Sequence, residues 1–333
     1  MGKVVTIGEL MLRLTPKNNG RLNQATEFKA YYGGAEANVA MSLSKFGHHA
    51  SFLSAFPSND IGDAAASHLA GCGVDTAWIF RQGGRLGTYY YEEGYSLKQA
   101  KVIYDRDHSA IHHLPGIGLD WKSIYQDIDL LHITGITPAL SNELKNLTLE
   151  AVKAAKESGV KVSFDFNFRS KLLSIEEAKR TILNILPYVD ICFAGYKDFV
   201  YLLGEEGPQT FSDQRLAAFY ENYADKYGIS VFASTDRQAI SATQNKLQGF
   251  VYQNSQLVSS GNYSFEILDR IGGGDAFAAG VLHGMLTEMD PAETVEFGTA
   301  SGVLKHMVYG DHNQFTAVEV EQFLQNHGTD VSR

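Results

Sequence analysis

Only two cysteines, Cys72 and Cys192, occur in 333 residues, and they form no CxxC pair. That scarcity excludes a disulfide-stapled fold and suits two buried or half-buried thiols in a reducing compartment. Positive charge is also in short supply. Lys and Arg total 28 against 38 Asp and Glu, a formal net charge of -10. Such a chain does not present a nucleic acid or an anionic membrane with its main surface, although a local basic pocket for a small anion remains open. No run of 18 apolar residues exists, so no membrane-crossing helix is expected. The opening "MGKVVTIGEL" lacks the charged-then-apolar pattern of a secretory signal. A soluble, cytoplasmic protein is the expectation.

What is present is enough apolar material, 44% of the residues, for a sizeable core. "KVVTIGELMLRL" reads as a first strand, and "YYGGAEANVAMSLSKFG" as a glycine turn, a helix and a glycine stop. "DIGDAAASHLAGCGV" reads as a second, short helix. Residues 77–105 are aromatic and punctuated by turns, which predicts antiparallel strands and hairpins. From residue 128 strands and helices alternate. "DLLHITG", "VKVSFDFNF", "VDICFAG" and "ISVFAST" are the strands, and the helices lie between them. This alternation predicts a mostly parallel sheet covered by helices. Hairpins are expected over 236–268, then helices over 272–288 and 291–308 and a short last one. The whole chain, 1–333, reads as a single α/β domain. A small sheet drawn from roughly 9–33 and 77–107 forms a lid over its mouth.

"DRIGGGDAFAAG", residues 269–280, carries the chemistry. Three glycines let backbone N–H groups approach an anion, and a helix N-terminus adds unpaired donors and the positive end of its dipole. Asp275, beside that cradle, can take a proton from an attacking hydroxyl. A flexible turn capped by an acid is the plainer alternative. Other phosphate sites are excluded. The sequence has no GxxxxGK[ST], no paired HRD and DFG, and no GxGxxG after its first strand. His108 and His112 stand four apart but lack an HExxH frame, so they are not read as a metal site. His48 and His49 read as a surface pair at a helix end.

"GGAEANVAMSLSKFG" and "DRIGGGDAFAAG", in this order and separation, resemble the two signature regions of the PfkB (ribokinase-like) family of carbohydrate kinases. Within it, "GGAEAN", "YDR", "DFNFR" and "HMVYGDHN" are most similar to 2-keto-3-deoxygluconate kinases. The resemblance implies a three-layer α/β/α sandwich with a β lid, and ATP- and Mg2+-dependent phosphorylation of a sugar hydroxyl. Asp275 would be the base, and Gly272, Gly273 and Gly274 the anion hole and part of the nucleotide site. It implies a substrate site of Gly34, Ala35, Glu36, Asn38, Tyr90, Tyr104, Arg106, Arg169 and Asp311. The two arginines would hold a carboxylate, which guanidinium matches bidentately. Arg169 is also a candidate partner of ATP phosphates. Which of Tyr89, Tyr90 and Tyr91 faces inward stays open, since alternation puts 89 and 91 on one face and 90 on the other.

Asp165, Asn167, Asp198 and Thr235 are assigned to the nucleotide side. No direct metal ligand is assigned, and Asp198 and Asp269 are candidates for holding metal-bound water. Two features depart from the family pattern. "CFAGYKDFVYLLG" lacks the Asn of the usual Asn-x-x-Glu, and "ASTDRQAIS" lacks the usual glycine turn. Three readings follow: a 2-keto-3-deoxygluconate kinase, a kinase of a neutral sugar such as fructose, or a non-catalytic sugar-acid binder. The resemblance also implies a homo-oligomer paired through exposed lid strands.

Overall fold

Short apolar runs become strands and longer amphipathic stretches become helices. The computed structural model describes residues 1–207 and 210–325. Its first half holds β1 (Lys3–Ile7), β2 (Met11–Pro16), β3 (Phe28–Gly33), α1 (Ala35–Lys45), β4 (His49–Phe56) and α2 (Asp60–Gly71). There follow β5 (Ile79–Arg81), β6 (Gly87–Glu92), β7 (Lys101–Asp105), α3 (Trp121–Ile124), β8 (Leu130–Thr134) and α4 (Asn142–Glu157). The second half runs through β9 (Lys161–Asp165), α5 (Ile175–Ile185), β10 (Ile191–Phe193), α6 (Asp213–Tyr227) and β11 (Val231–Ala239). It continues with β12 (Gln244–Gln253), β13 (Gln256–Ser259) and β14 (Tyr263–Glu266). It ends in α7 (Gly273–Leu286), α8 (Pro291–Lys305) and α9 (Ala317–Gln325).

The parallel strands lie in the order β11-β10-β9-β8-β1-β4-β5. β12 continues the sheet antiparallel to β11, and β13 and β14 both pair with β12. Alternate side chains divide the core between two faces. Val5, Ile7, Leu131, Ile133 and Phe164 meet Leu144 of α4, Ile182 of α5 and Leu216 of α6. Val4, Phe52, Leu130 and Val231 meet Val39 of α1, Leu69 of α2, Val281 of α7 and Val295 of α8. The result is the expected three-layer sandwich.

A second sheet, in the order β3-β2-β6-β7, draws its strands from 11–33 and 87–105. Three expectations need correction. "KVVTIGELMLRL" is two strands, because Gly8–Leu10 breaks it and sends β2 to the small sheet. Residues 79–81 do not belong to that sheet. β5 follows α2 and pairs parallel to β4, a crossover that places it on the edge of the large sheet. His48 is not on the surface either. It is buried, and its Nε2 lies 2.8 Å from Nδ1 of His283.

The small sheet is tied to the large layer by one buried cation. Arg13, on β2, has no exposed surface. Its NH1 donates to Asp311 Oδ1 at 2.8 Å, and its NH2 pairs with Asp269 Oδ2 at 2.8 Å. Tyr91 lies over one face of the guanidinium, 4.4 Å from ring centre to Cζ. Burial works against the charge, but Asp311 and Asp269 outweigh it and hold the pKa above the ordinary arginine value. Removing one member of such a cluster strands the others. Arg13→Ala should therefore lose about 3–5 kcal/mol of stability, read by urea unfolding of the free protein. Adding Asp269→Asn and Asp311→Asn to that variant should recover much of the loss. A fully stable Arg13→Ala would show that the cluster does not hold the sheets together.

Candidate active site

Every other α-helix starts on a side-chain cap, such as Ser141, Ser174, Ser212 or Asp290. α1 and α7 do not. They start on Gly34 and Gly272 with no side-chain cap. Their N-termini converge, and Asn38 Nδ2 of α1 donates to Asp275 Oδ2 of α7 at 2.7 Å. The first intrahelical bond of α7 is Ala276 N–H to Gly272 O, so the N–H groups of Gly273, Gly274 and Asp275 are its orphan donors. Gly272 holds φ +81, and a Cβ there would collide with the Asp311 carbonyl. At Gly34 a Cβ would strike the Glu9 carbonyl.

Above these helix starts lies a cavity of about 690 Å³. The small sheet roofs it with Met11, Tyr89, Val102 and Tyr104, and the carboxyl end of β9 supplies Asp165, Asn167 and Arg169. This is the side of an open α/β sheet where ligands bind. Asp275 is half-buried on the floor, enclosed by protein and open to the cavity. Burial pushes its pKa up to about 6, partly offset by the Asn38 hydrogen bond and by Arg169. Asp165 is pushed up to about 8, first by burial and then by the charges of Asp275 and Asp198. Asn167, at φ 37, returns its backbone N–H to Asp165 Oδ1 at 3.0 Å.

The cavity brings together Gly34, Ala35, Asn38, Tyr104, Arg106, Asp165, Asn167, Arg169, Asp275, Asp311 and the three glycines. Other expected site residues sit elsewhere. Glu36 is buried beneath α1, accepting from Thr134 Oγ1 at 2.7 Å and Thr137 Oγ1 at 2.9 Å. Tyr90 faces the opposite side of its strand, edge-on to Phe28, and Tyr89 points inward and donates to Asp311. Thr235 lies within β11, which runs on to Ala239 paired with β12. The carboxylate of Asp269 is engaged by Arg13 and by the N–H groups of Ile271 and Gly310, which leaves it no room to hold a metal-bound water. Asp198 is half-buried at the start of a short π-helical turn and accepts from Gly195 N–H at 2.7 Å.

Two arginines behave differently. Arg106 Nε donates to Glu9 Oε2 at 2.8 Å, and its NH2 bonds to the same oxygen, so one edge of its fork is taken. Arg169 is exposed at the cavity and forms no ion pair among the described residues. Sequence reasoning missed Arg237 and Arg270, which both line the cavity. Burial and the neighbouring Arg270 lower the Arg237 pKa, a repulsion that an anion between them would relieve. Arg270 stood inside the quoted motif, but Arg237 carried no local signal.

A glycine cradle at an uncapped helix start, with a carboxylate beside it and cations around it, defines an enzyme that moves a phosphoryl group onto a hydroxyl. Comparison with known proteins agrees. Residues 1–314 match the pfkB family carbohydrate kinase profile, and the chain belongs to the PfkB family of carbohydrate kinases. It is 30% identical over 332 residues to the 2-dehydro-3-deoxygalactonokinase of Haloferax volcanii, covering 99% of each chain. The crystal structure of a 2-dehydro-3-deoxygluconokinase from Thermotoga maritima superposes with a TM-score of 0.95 at 39% identity, over 98% of this chain and 100% of that one. A PfkB family carbohydrate kinase from Listeria grayi gives 0.92 at 41% identity, over 97% and 100%. Among the described residues, no helix is long and apolar enough to cross a membrane.

The acid pair makes the free protein sensitive to pH. The folded pKa of Asp165, about 8, exceeds the unfolded carboxylate value of about 4. The native state therefore keeps a proton that the unfolded state has lost, and stability falls as pH rises, by up to about 1.4 kcal/mol per unit. Below about pH 6.5, buried histidines such as His132 and His306, whose pKa values are lowered by burial, work in the opposite direction. From pH 6.5 to 8 the carboxylate effect should stand alone. Urea unfolding should then show stability declining across that window, with Asp165→Asn flattening the decline. An unchanged slope in Asp165→Asn would remove Asp165 as the cause.

Proposed function

We propose that this kinase transfers the γ-phosphoryl group of ATP to the 6-hydroxyl of 2-keto-3-deoxygluconate (2-dehydro-3-deoxygluconate). The product is 2-keto-3-deoxy-6-phosphogluconate. The observation that carries the reading is a single cavity that joins Asp275, at the uncapped start of α7, to Arg106 and Arg169. A neutral sugar needs no guanidinium, whereas a sugar acid does. The name of the Thermotoga maritima protein supports this substrate. That of the Haloferax volcanii relative favours a second reading, the galactonate epimer.

The substrate lies beneath the small sheet, which acts as a lid and keeps water from the phosphoryl group. Arg169 and the free edge of Arg106 take the carboxylate end, beside Tyr89 and Tyr104. The 6-hydroxyl then meets Asp275, whose second carboxylate oxygen is oriented by Asn38. As the hydroxyl oxygen attacks the γ-phosphorus, its proton passes to Asp275 and the bond to the leaving ADP oxygen breaks. The N–H donors of residues 273–275 stabilise the charge that spreads over the transferred group.

Arg237 and Arg270 suit the remaining phosphates of the nucleotide. Asp165 and Asp198, half-buried, with pKa values raised by the surrounding protein and without an ion-pair partner among the described residues, fit a Mg2+ ion held through water. That ion would neutralise phosphate charge when bound. Exposed apolar side chains at Tyr95, Leu97 and Ile103 beside or on the small sheet support pairing of two copies there.

Asp275→Asn should reduce kcat by about 10²–10⁴-fold while leaving sugar-acid binding nearly unchanged, read by calorimetry. The base must be deprotonated, so kcat/KM of the native enzyme should fall as pH drops through about 6. A variant with most of its turnover would remove Asp275 as the base.

The substrate is tested by ADP release with Mg-ATP across 2-keto-3-deoxygluconate, its galactonate epimer, fructose, ribose and gluconate. Turnover confined to the keto-deoxy acids is expected. Arg169→Ala should raise their KM by about 10–100-fold, the worth of one charged hydrogen bond. Efficient turnover of fructose would keep the kinase and discard the carboxylate contacts.

A further inference from the structure

Outside the cavity, three metal-ligating side chains meet that the phosphoryl-transfer chemistry does not use. His68 and Cys72 stand four apart at the end of α2, on one face of the helix. His312 arrives from the segment between α8 and α9. Cys72 Sγ lies 3.9 Å from Nε2 of His68 and 3.9 Å from Nε2 of His312, and the three ligand atoms all fall within 4.8 Å of one another. A tetrahedral zinc ion with ordinary bond lengths separates its sulfur and nitrogen ligands by about 3.6 Å. Each sulfur–nitrogen distance is therefore a few tenths of an ångström from ligation.

The rings are also set for it. His312 Nδ1 lies 2.9 Å from the Asn313 carbonyl. A carbonyl only accepts, so Nδ1 carries the proton and Nε2 of the neutral ring turns its lone pair toward Cys72. Metal-bound histidines are oriented in the same way. The Asn313 side chain fixes that carbonyl's segment, donating to Phe315 O at 2.7 Å and accepting from Phe315 N–H at 3.1 Å. Tyr32 packs on the His68 ring at 5.2 Å.

We propose that His68, Cys72 and His312 form a site for a borderline divalent cation of the zinc class, separate from any Mg2+ that accompanies ATP. Two imidazoles and a thiolate select such an ion over hard Mg2+. Water completes the coordination, and binding releases the thiol proton to solvent. His312 follows Asp311 directly, so the ion would clamp α2 to the segment that partners Arg13.

The test is a Co2+ titration of the metal-free, full-length protein without nucleotide. A thiolate-to-cobalt charge-transfer band in the near ultraviolet should saturate at one equivalent and disappear when Zn2+ is added. Cys72→Ser should abolish the band, His312→Gln and His68→Gln should weaken it, and Cys192→Ser should keep it. Zn2+ should raise the thermal midpoint of the native protein and leave that of Cys72→Ser unchanged. No band in the folded native protein, or a band that survives in Cys72→Ser, would overturn the site.

Discussion

The small sheet and the turns beside α7 and α8 are tied together by a buried cation that does not line the cavity. Arg13 joins three parts of the chain that are distant in sequence: β2, the turn before α7 through Asp269, and the turn after α8 through Asp311. Lys305 adds a second buried cation, its Nζ donating to Asp269 O at 3.2 Å and Val308 O at 3.4 Å. Burial lowers the Lys305 pKa, and the charges of Asp269 and Asp311 work against that shift. Such clusters contribute little net stability, but breaking one is costly, which makes them good at enforcing a single arrangement. Here that arrangement sets the small sheet at a fixed height above Asp275. The backbone N–H of Ile271 returns to Asp269, whereas the amides of Gly273, Gly274 and Asp275 stay free for the cavity.

On the opposite side of the cavity Asp165 feels the charges of both Asp275 and Asp198, and Arg169 is the cation felt by all three. Burial raises all three pKa values, and like charge adds to it at Asp165 and Asp275, a cost that the free protein tolerates. A site prepared for charged reactants carries this cost before they arrive, because groups fixed in advance need not reorganise during reaction. Arg237 and Arg270 repeat the pattern with the opposite sign. One half of the cavity floor is thus held rigid by satisfied charges, and the rest is poised by unsatisfied ones.

The sequence revealed layers more readily than faces. Amphipathic stretches such as 142–157 and short apolar runs such as 130–134 differ in length and period, so α4 and β8 were legible. The glycine-to-aspartate junction at 272–275 was legible because flexibility, charge and helix start coincide there. Tyr89 against Tyr90 was not, since alternation gives two faces without saying which is inner. Residues 79–81 were misplaced because β-propensity does not choose between sheets; the crossover through α2 does. Arg13 was overlooked although "MLRLTP" puts it on the same face as Met11 and Thr15. A charge on an inward strand position has no local explanation, and its partners, Asp269 and Asp311, lie more than 250 residues away.

The pairing of Arg106 with Glu9 changes how a sugar acid would be recognised. An unpaired guanidinium swings on a long side chain and can grip any carboxylate within reach. With Nε and NH2 held by Glu9, and Glu9 also accepting from Ser109, the plane of the Arg106 fork is fixed and only its remaining edge is available. The charge it offers is partly neutralised, so Arg106 gives less attraction and more direction. Arg169, exposed and unpaired among the described residues, gives the reverse. A carboxylate placed between them would be drawn by one and aligned by the other. That division suits a reaction in which the far end of the ligand must be fixed so that a single hydroxyl reaches Asp275.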